Sequence, residues 1–164
     1  MAVGGLQARD DPGARLAHAL DLAYRWLGHR DRTVAEMRRH LEAKRVEPAT
    51  IDATVGELQA QGYLDDAGYA RRFAEDRRRL DGWGAERIER RLRALGVAPA
   101  DVAAALGSHD EGLELEAAVE VLRRRVRAAP RDDRERERAL GMLARRGYDL
   151  EVAYAAVRRF ERDA

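Results

Sequence analysis

The chain contains no cysteine among its 164 residues, which excludes disulfide bonds and thiolate metal sites and is compatible with a reducing compartment. It also lacks an apolar run long enough to cross a bilayer. Residues 1–14 have no apolar core of the kind found in a signal peptide. We therefore expect a cytoplasmic protein that does not enter a membrane and whose residues 1–14 form a disordered tail.

Strand signals and aromatic residues are also scarce. No stretch alternates apolar and polar residues in the manner of a half-buried strand, and aromatic residues make up only 5% of the chain. Ala, Leu, Arg and Glu dominate, and these are strong helix formers. The composition therefore predicts an all-α protein with an aliphatic core.

Lysine is nearly absent, because Lys44 is the single lysine among 31 basic residues and the formal net charge is only +1. Arginine can reflect GC-rich coding, but its planar fork also binds phosphate and carboxylate groups. Composition alone leaves both explanations open.

Motifs for catalysis are missing. The sequence contains no P-loop, HExxH, GxSxG or GxGxxG pattern. His18, His29 and His40 recur at a regular interval, but a helix break separates them, which does not favour a metal site. Asp65 and its neighbour Asp66 are better explained by helix capping than by catalysis. We therefore expect no enzymatic activity, no metal and no cofactor.

One eight-residue pattern occurs three times, as LEAKRVEP (41–48), LRALGVAP (92–99) and LARRGYDL (143–150), each 51 positions after the last. In the middle copy, glycine falls just past the cap of a helix and an apolar residue follows, as in a Schellman motif. The equivalent triplets are Leu41–Arg45–Val46, Leu92–Gly96–Val97 and Leu143–Gly147–Tyr148. Arg45 replaces glycine in the first copy, so we expect that turn to be strained or built differently.

Apolar residues have helical spacing on both sides of each turn, which predicts two helices per copy, and a further stretch with the same spacing precedes them and predicts a third. Thr33 and Glu36 form a candidate capping box. Asp65 is a candidate N-cap, and the helix that follows it would carry a stripe of Tyr69, Phe73 and Leu80. The pattern predicts three tandem three-helix modules at residues 15–64, 65–108 and 113–164, with a linker at 107–112. Because such units bury their apolar faces by stacking, we expect an elongated, curved array.

Charge follows the same repeat. Arginines concentrate in residues 71–93 and 123–146, whereas residues 47–69 and 95–121 contain no Lys or Arg. Such runs often form only a solvated face, but their recurrence with the module suggests a basic edge that faces a polyanion or an acidic filament surface. Trp83, in the segment GWG between two arginine-rich helices, is either a packing residue or an exposed contact residue.

Two segments in the middle of the chain resemble the RecX family of bacterial recombinase regulators: GYLDDAGYARRFAEDRR (62–78) and GAERIERRLRALGV (84–97). The shared positions include the Leu-Asp-Asp run, the Tyr-Ala pair and the Gly-Val turn. Residues 33–44 and the segment LARRGYD in the third module are also similar to the family, so the resemblance covers residues 16–162. The chain departs from the family pattern at Arg45, where glycine is usual, at Ala85, where proline is usual, and at Arg91, where an acidic residue is usual.

The resemblance implies a small, usually monomeric cytosolic protein that binds the RecA filament on single-stranded DNA. It would inhibit the ATPase, strand-exchange and coprotease activities of RecA, and so modulate recombination, DNA repair and the SOS response. Two rivals stay open: a DNA-binding helical protein that acts without RecA, and a scaffold that recruits a basic partner. The candidate residues for contact with the partner or with nucleic acid are Arg71, Arg72, Arg78, Arg79, Trp83, Arg87, Arg90, Arg91, Arg123, Arg124 and Arg125.

Overall fold

The computed structural model describes residues 11–107 and 111–163, and over these ranges it contains nine α-helices, one π-helical turn and no strand. The helices are α1 (Pro12–Leu27), α2 (Val34–Ala43), α3 (Pro48–Ala60), α4 (Asp66–Asp76), α5 (Ala85–Ala94), α6 (Pro99–Gly107), α7 (Glu111–Arg125), α8 (Asp133–Arg145) and α9 (Leu150–Arg162). The π turn, Arg77–Asp81, directly follows α4. The prediction of an all-α protein with three successive sets of three helices is confirmed. None of the described helices is both long and apolar enough to span a membrane.

The first helix begins earlier than expected. Asp11 caps α1 by accepting hydrogen bonds from the backbone N–H groups of Gly13 and Ala14, at 3.3 and 3.1 Å. The boundary of the predicted tail at residue 14 is therefore wrong for residues 12–14, which are helical. Residues 1–10 of that tail and residues 108–110 of the predicted linker lie outside the described residues.

Contacts divide the chain into two compact units, the first of which includes residues 11–69 and 95–97 among those described. In the first unit, α1, α2 and α3 pack against one another. Their buried core consists of Ala23, Met37, Leu41, Ile51, Val55, Leu58 and Leu64. Three helices thus share one aliphatic core, as expected from their apolar spacing.

The second unit includes residues 70–94 and 98–163 among those described. Helix α9 packs against α7 and α8, and α5 packs against α6. The core around α9 consists of Ala118, Val119, Val121, Leu122, Ala139, Leu143, Tyr148, Ala153, Ala156, Val157 and Phe160. The exact boundaries of the three sequence modules stay a prediction.

The first and last copies of the repeated eight-residue pattern form Schellman turns, and Gly96 of the middle copy is left-handed as well. In the last copy, the N–H of Tyr148 donates to the carbonyl of Leu143 at 3.2 Å, and the N–H of Gly147 donates to Ala144 at 2.9 Å. The first copy makes the same pair of bonds, and its Arg45 has a φ of 60°. The expected strain at Arg45 is therefore present, but the turn is not built differently.

The turns at Gly96 and Gly147 each pack closely against the N-terminus of another helix. In the first unit, the hydroxyl of Thr33 donates to the carbonyl of Leu95 at 2.7 Å. In the second unit, the N–H of Gly84 donates to the carbonyl of Arg146 at 2.8 Å. Donor and acceptor residues of the second contact lie 51 positions after those of the first. The two units thus contain equivalent contacts, made by a side-chain hydroxyl in the first and by a backbone N–H in the second.

The π turn changes which side chains face the core. A π turn closes hydrogen bonds five residues apart and so rotates the following residues away from their α-helical positions. Leu80, placed on the apolar stripe of Tyr69 and Phe73 by α-helical spacing, is instead 63% exposed. The prediction for Leu80 is therefore wrong, and the half-buried residues of this turn are Arg77, Arg78 and Asp81.

Candidate partner-binding surface

The adjacent carboxylates that open α4 are used for structure. Asp65 Oδ1 accepts the N–H of Gly68 at 2.9 Å, which confirms the predicted N-cap. Asp66 Oδ1 accepts the N–H of Val34, the first residue of α2, also at 2.9 Å. Among the described residues, no cluster of His, Asp and Glu could hold a metal ion. These carboxylates therefore fix the ends of helices, including the helix that leads into the π turn.

The π turn places Arg78 in an unusual environment. Its side chain is half-buried, and its Nη2 atom is buried without a hydrogen-bond partner in the described part of the chain. Burial lowers the pKa of Arg78, while the charges of Glu114 and Tyr148 act in the opposite direction. A buried donor without a partner is costly, so the environment of Arg78 disfavours its charge more than a solvated position would.

The two groups whose charges act on Arg78 do not bond its Nη2 atom. Glu114 accepts the N–H of Ala85 at 2.8 Å and thus serves the first turn of α5. The hydroxyl of Tyr148 is buried and, within the described residues, also has no partner. Burial, followed by the charge of Glu114, raises the pKa of Tyr148 to about 12. The phenol therefore stays protonated at neutral pH.

Arg78 lies on a groove between α4, the π turn and α7, which we call the α4–α7 groove. The groove has a volume of about 560 Å³ and is lined by Arg71, Glu75, Arg78, Arg79, Gly82, Ala105, Ala117, Glu120, Val121 and Arg124. Arg124 pairs with Glu120 at 2.8 Å, and Arg79 lies 3.5 Å from Asp76. Both pairs are well exposed and hold their arginines weakly. Four guanidinium groups thus surround an apolar floor.

A second cavity, the Trp83 pocket, lies elsewhere in the same unit. It has a volume of about 480 Å³ and is lined by Asp81, Trp83, Arg87, Arg125, Met142, Arg145 and Arg146. The guanidinium of Arg87 lies 4.2 Å from the Trp83 ring centroid, within cation–π range. Trp83 also packs edge-on against Phe73, with ring centroids 6.2 Å apart. Trp83 is therefore a packing residue that also lines a cationic pocket.

Backbone contacts hold the arginines of this pocket in place. Arg87 Nη1 donates to the carbonyl of Arg145 at 3.1 Å, and Arg146 donates to the carbonyl of Asp81. Arg125 and Arg145 are exposed. Two arginines thus have fixed positions, and two more extend into solvent beside them.

The structure brings together seven of the eleven candidate residues, four in the α4–α7 groove and three in the Trp83 pocket. The other four candidates line neither cavity, although all four are exposed: Arg72, Arg90, Arg91 and Arg123. Sequence reasoning missed Arg145 and Arg146 as pocket residues. The repeat makes Arg146 the equivalent of Leu95, but this becomes a signal only once the hydrogen bond from Thr33 to the Leu95 carbonyl is known from the structure.

Family models for the first, second and third three-helix domains of RecX match residues 19–58, 65–106 and 113–157. The regulatory protein RecX of Deinococcus radiodurans is 34% identical to this chain, and the match covers 85% of this chain and 66% of the relative. The regulatory protein RecX of Amycolatopsis mediterranei is 30% identical, and the match covers 90% of this chain and 85% of the relative. The relative from Mycolicibacterium vanbaalenii is 36% identical over 90% of this chain and 85% of its own.

Solved structures agree on the fold. The crystal structure of RecX from Lactobacillus salivarius superposes with a TM-score of 0.79 at 16% identity, over 91% of this chain and 98% of the other. A second crystal structure, of a regulatory protein RecX, gives a TM-score of 0.73 at 20% identity, over 93% of this chain and 74% of the other. With three domain models matched in order, the chain belongs to the RecX family of regulatory proteins.

Proposed function

We propose that this chain binds the RecA filament on single-stranded DNA and inhibits its ATPase, strand-exchange and coprotease activities. In that role it modulates recombination and DNA repair. The relatives it matches are named as regulatory proteins. The observation that carries the proposal is a surface of arginines, clustered in one unit around two cavities. Such a surface is suited to contact with a filament of protein and nucleic acid.

The proposal assigns contact with the filament to the eleven candidate residues, together with Arg145 and Arg146. Guanidinium groups form charge-assisted hydrogen bonds with phosphate and carboxylate oxygens. The four candidates outside the cavities extend this contact along the exposed surfaces of α4, α5 and α7. The chain works in the cytoplasm as a monomer, without a catalytic residue or a cofactor of its own.

Co-sedimentation tests the proposal directly. The purified protein is mixed with RecA assembled on single-stranded DNA, and separately with the DNA alone, and the pelleted fraction is measured. We expect binding to the filament and a lower rate of DNA-dependent ATP hydrolysis. Excess protein at low salt that neither pellets with the filament nor slows hydrolysis contradicts the proposal.

A DNA-binding protein that acts without RecA is the second candidate, and the Trp83 pocket favours it. An aromatic side chain beside several arginines is a common arrangement for binding single strands. This candidate predicts tight binding to DNA alone, with an affinity that falls by a log–log salt slope of about −0.7 per phosphate contact.

Paired substitutions in the Trp83 pocket measure that contribution. Replacing Arg125 and Arg145 with glutamine is expected to make the salt slope shallower by about 1.4, because two phosphate contacts of about 0.7 each are lost. Arg158, an exposed arginine on α9, provides the matched control when it is replaced with glutamine. A scaffold that recruits a basic partner through its acidic residues predicts no effect from either change.

A further inference from the structure

The α4–α7 groove and the Trp83 pocket differ in chemistry, although both are rich in arginine. The floor of the groove is apolar, with Ala105, Ala117 and Val121 between the charged rims, and its described lining contains no aromatic residue on which a base could stack. Single-strand binding sites commonly combine cations with such stacking platforms. The groove therefore fits an apolar ligand with a negative charge better than it fits a nucleotide chain.

Arg78 gives the groove a specific position for the negative charge of the ligand. Burial has already removed much of the water around its guanidinium, and Nη2 has no partner within the described residues. Because Arg78 lines the groove and has already lost part of its water, an incoming carboxylate would pair with its guanidinium without the full cost of dehydrating a solvated cation. The planar fork of arginine matches the two oxygens of a carboxylate.

The other charges of the groove also favour an anion. Its lining has four arginines against two glutamates, and one of the glutamates, Glu120, is already paired with Arg124. The volume of about 560 Å³ lies within the range of about 300–1,000 Å³ that is typical of ligand sites. The groove is thus large enough for a few side chains of a protein segment.

We propose that the α4–α7 groove binds a short protein segment in which an acidic residue stands beside aliphatic residues. Arg78 binds the carboxylate, and the floor around Val121 buries the aliphatic side chains. This inference rests on the proposed function, since the segment belongs to the protein of the filament and not to its DNA.

Site-specific photo-crosslinking tests this assignment. A benzoylphenylalanine replaces Glu75, an exposed residue on the rim of the groove, and in a control protein it replaces Tyr154, which is 50% exposed on α9. Each protein is irradiated with RecA filaments on single-stranded DNA, and the products are identified by mass spectrometry. We expect the Glu75 position to crosslink a RecA peptide with Asp or Glu beside aliphatic residues, and the Tyr154 position not to.

Substitution of Arg78 provides the second measurement. Arg78→Met keeps most of the side-chain volume and removes the donor, so filament binding should weaken about 10- to 100-fold. Arg78→Lys keeps the charge but not the fork, and should recover only part of the affinity. Arg158→Met is the matched control and should bind like the unmodified protein. Circular dichroism of each variant verifies that the helices remain formed.

The possible outcomes separate the groove from the function as a whole. If the unmodified protein does not pellet with filaments, the proposed function fails and the groove assignment fails with it. If it pellets but the Glu75 position crosslinks DNA or no RecA peptide, only the groove assignment is overturned. Unchanged binding by Arg78→Met also overturns it.

Discussion

Glycine at position 147 is predicted to be required for two separate reasons, which substitution can distinguish. Its φ is +86°, and a Cβ at this position would lie 2.4 Å from the backbone nitrogen of Arg87. A left-handed alanine costs about 1–2 kcal/mol. Inserting a methyl group into a tightly packed contact costs about 1–3 kcal/mol more. Gly147→Ala should therefore lower the free energy of unfolding by roughly 2–5 kcal/mol.

Three other glycines separate these two costs. Gly62 has a φ of +78°, but a Cβ there would have no atom of the described residues within 4 Å, so Gly62→Ala measures the backbone cost alone. Gly84 has no such φ, but its Cβ would lie 2.4 Å from the carbonyl oxygen of Gly147, so Gly84→Ala measures the steric cost. Gly56, exposed within α3, is the control, and Gly56→Ala should stabilise the helix by about 0.5–1 kcal/mol.

Urea unfolding followed by circular dichroism at 222 nm measures all four variants. For a domain of this size each kcal/mol also shifts the melting temperature by about 2–4 °C. The expected order of destabilisation is Gly147→Ala largest, then Gly84→Ala and Gly62→Ala, with Gly56→Ala stabilising. A Gly147→Ala variant that loses no more stability than Gly62→Ala would refute the argument that the turn is closely packed.

Three further predictions concern single side chains. Arg45→Gly should stabilise the protein by about 1 kcal/mol in the same urea assay, since it relieves a φ of 60°; a loss of stability would contradict this. Tyr148→Phe should be neutral or should stabilise the protein by about 1 kcal/mol, because it removes a buried hydroxyl that has no partner in the described part of the chain. A decrease of more than about 1 kcal/mol in the free energy of unfolding would show that the hydroxyl is hydrogen-bonded. His40 stacks on Trp26, and burial lowers its pKa. The folded protein therefore favours the neutral imidazole, so the stability that His40 contributes is present above pH 6.5 and is lost as the pH falls below that value. The melting temperature of His40→Phe, which keeps the stacking without the titration, should therefore depend less on pH between 7 and 5, and an unchanged dependence would rule out His40 as the cause.

The fold could be predicted well because its determinants are local. The capping box of Thr33 and the N-cap of Asp65 form as their spacing indicates, and both depend on residues within one helical turn. The glycines at 96 and 147 indicate left-handed turns for the same reason. Local stereochemistry, repeated three times, thus specifies the helices and the turns between them.

The π turn could not be predicted in this way. Nothing in the spacing of Phe73 and Leu80 signals an extra residue in the last turn, and α-helical periodicity places Leu80 in the core. Tertiary contacts also hold the turn, such as the hydrogen bond from Arg146 to the carbonyl of Asp81. Because partners 65 positions apart in sequence contribute to this geometry, periodicity alone cannot predict the burial of Arg78.

The arginines of the candidate surface show the same limit. Sequence position indicates where arginines concentrate, but not which of them are already used inside the protein. Arg87 donates to a backbone carbonyl and stacks on Trp83, whereas Arg90, three residues later, is exposed. Only the packing of helices from different parts of the chain separates structural arginines from those that can receive a partner.

The close packing of the glycine turns explains why the first turn can depart from the family pattern. Gly96 lies against Ala35, where a Cβ would approach to 2.3 Å, and Gly147 lies equally close to Arg87. Arg45 occupies the same place in the first copy but is exposed, so its side chain meets no such barrier and costs only the energy of its φ. Glycine is therefore required sterically in the second and third turns and is merely favourable in the first. The departure at Arg45 thus bears on stability, and the partner-binding surface of the second unit does not depend on it.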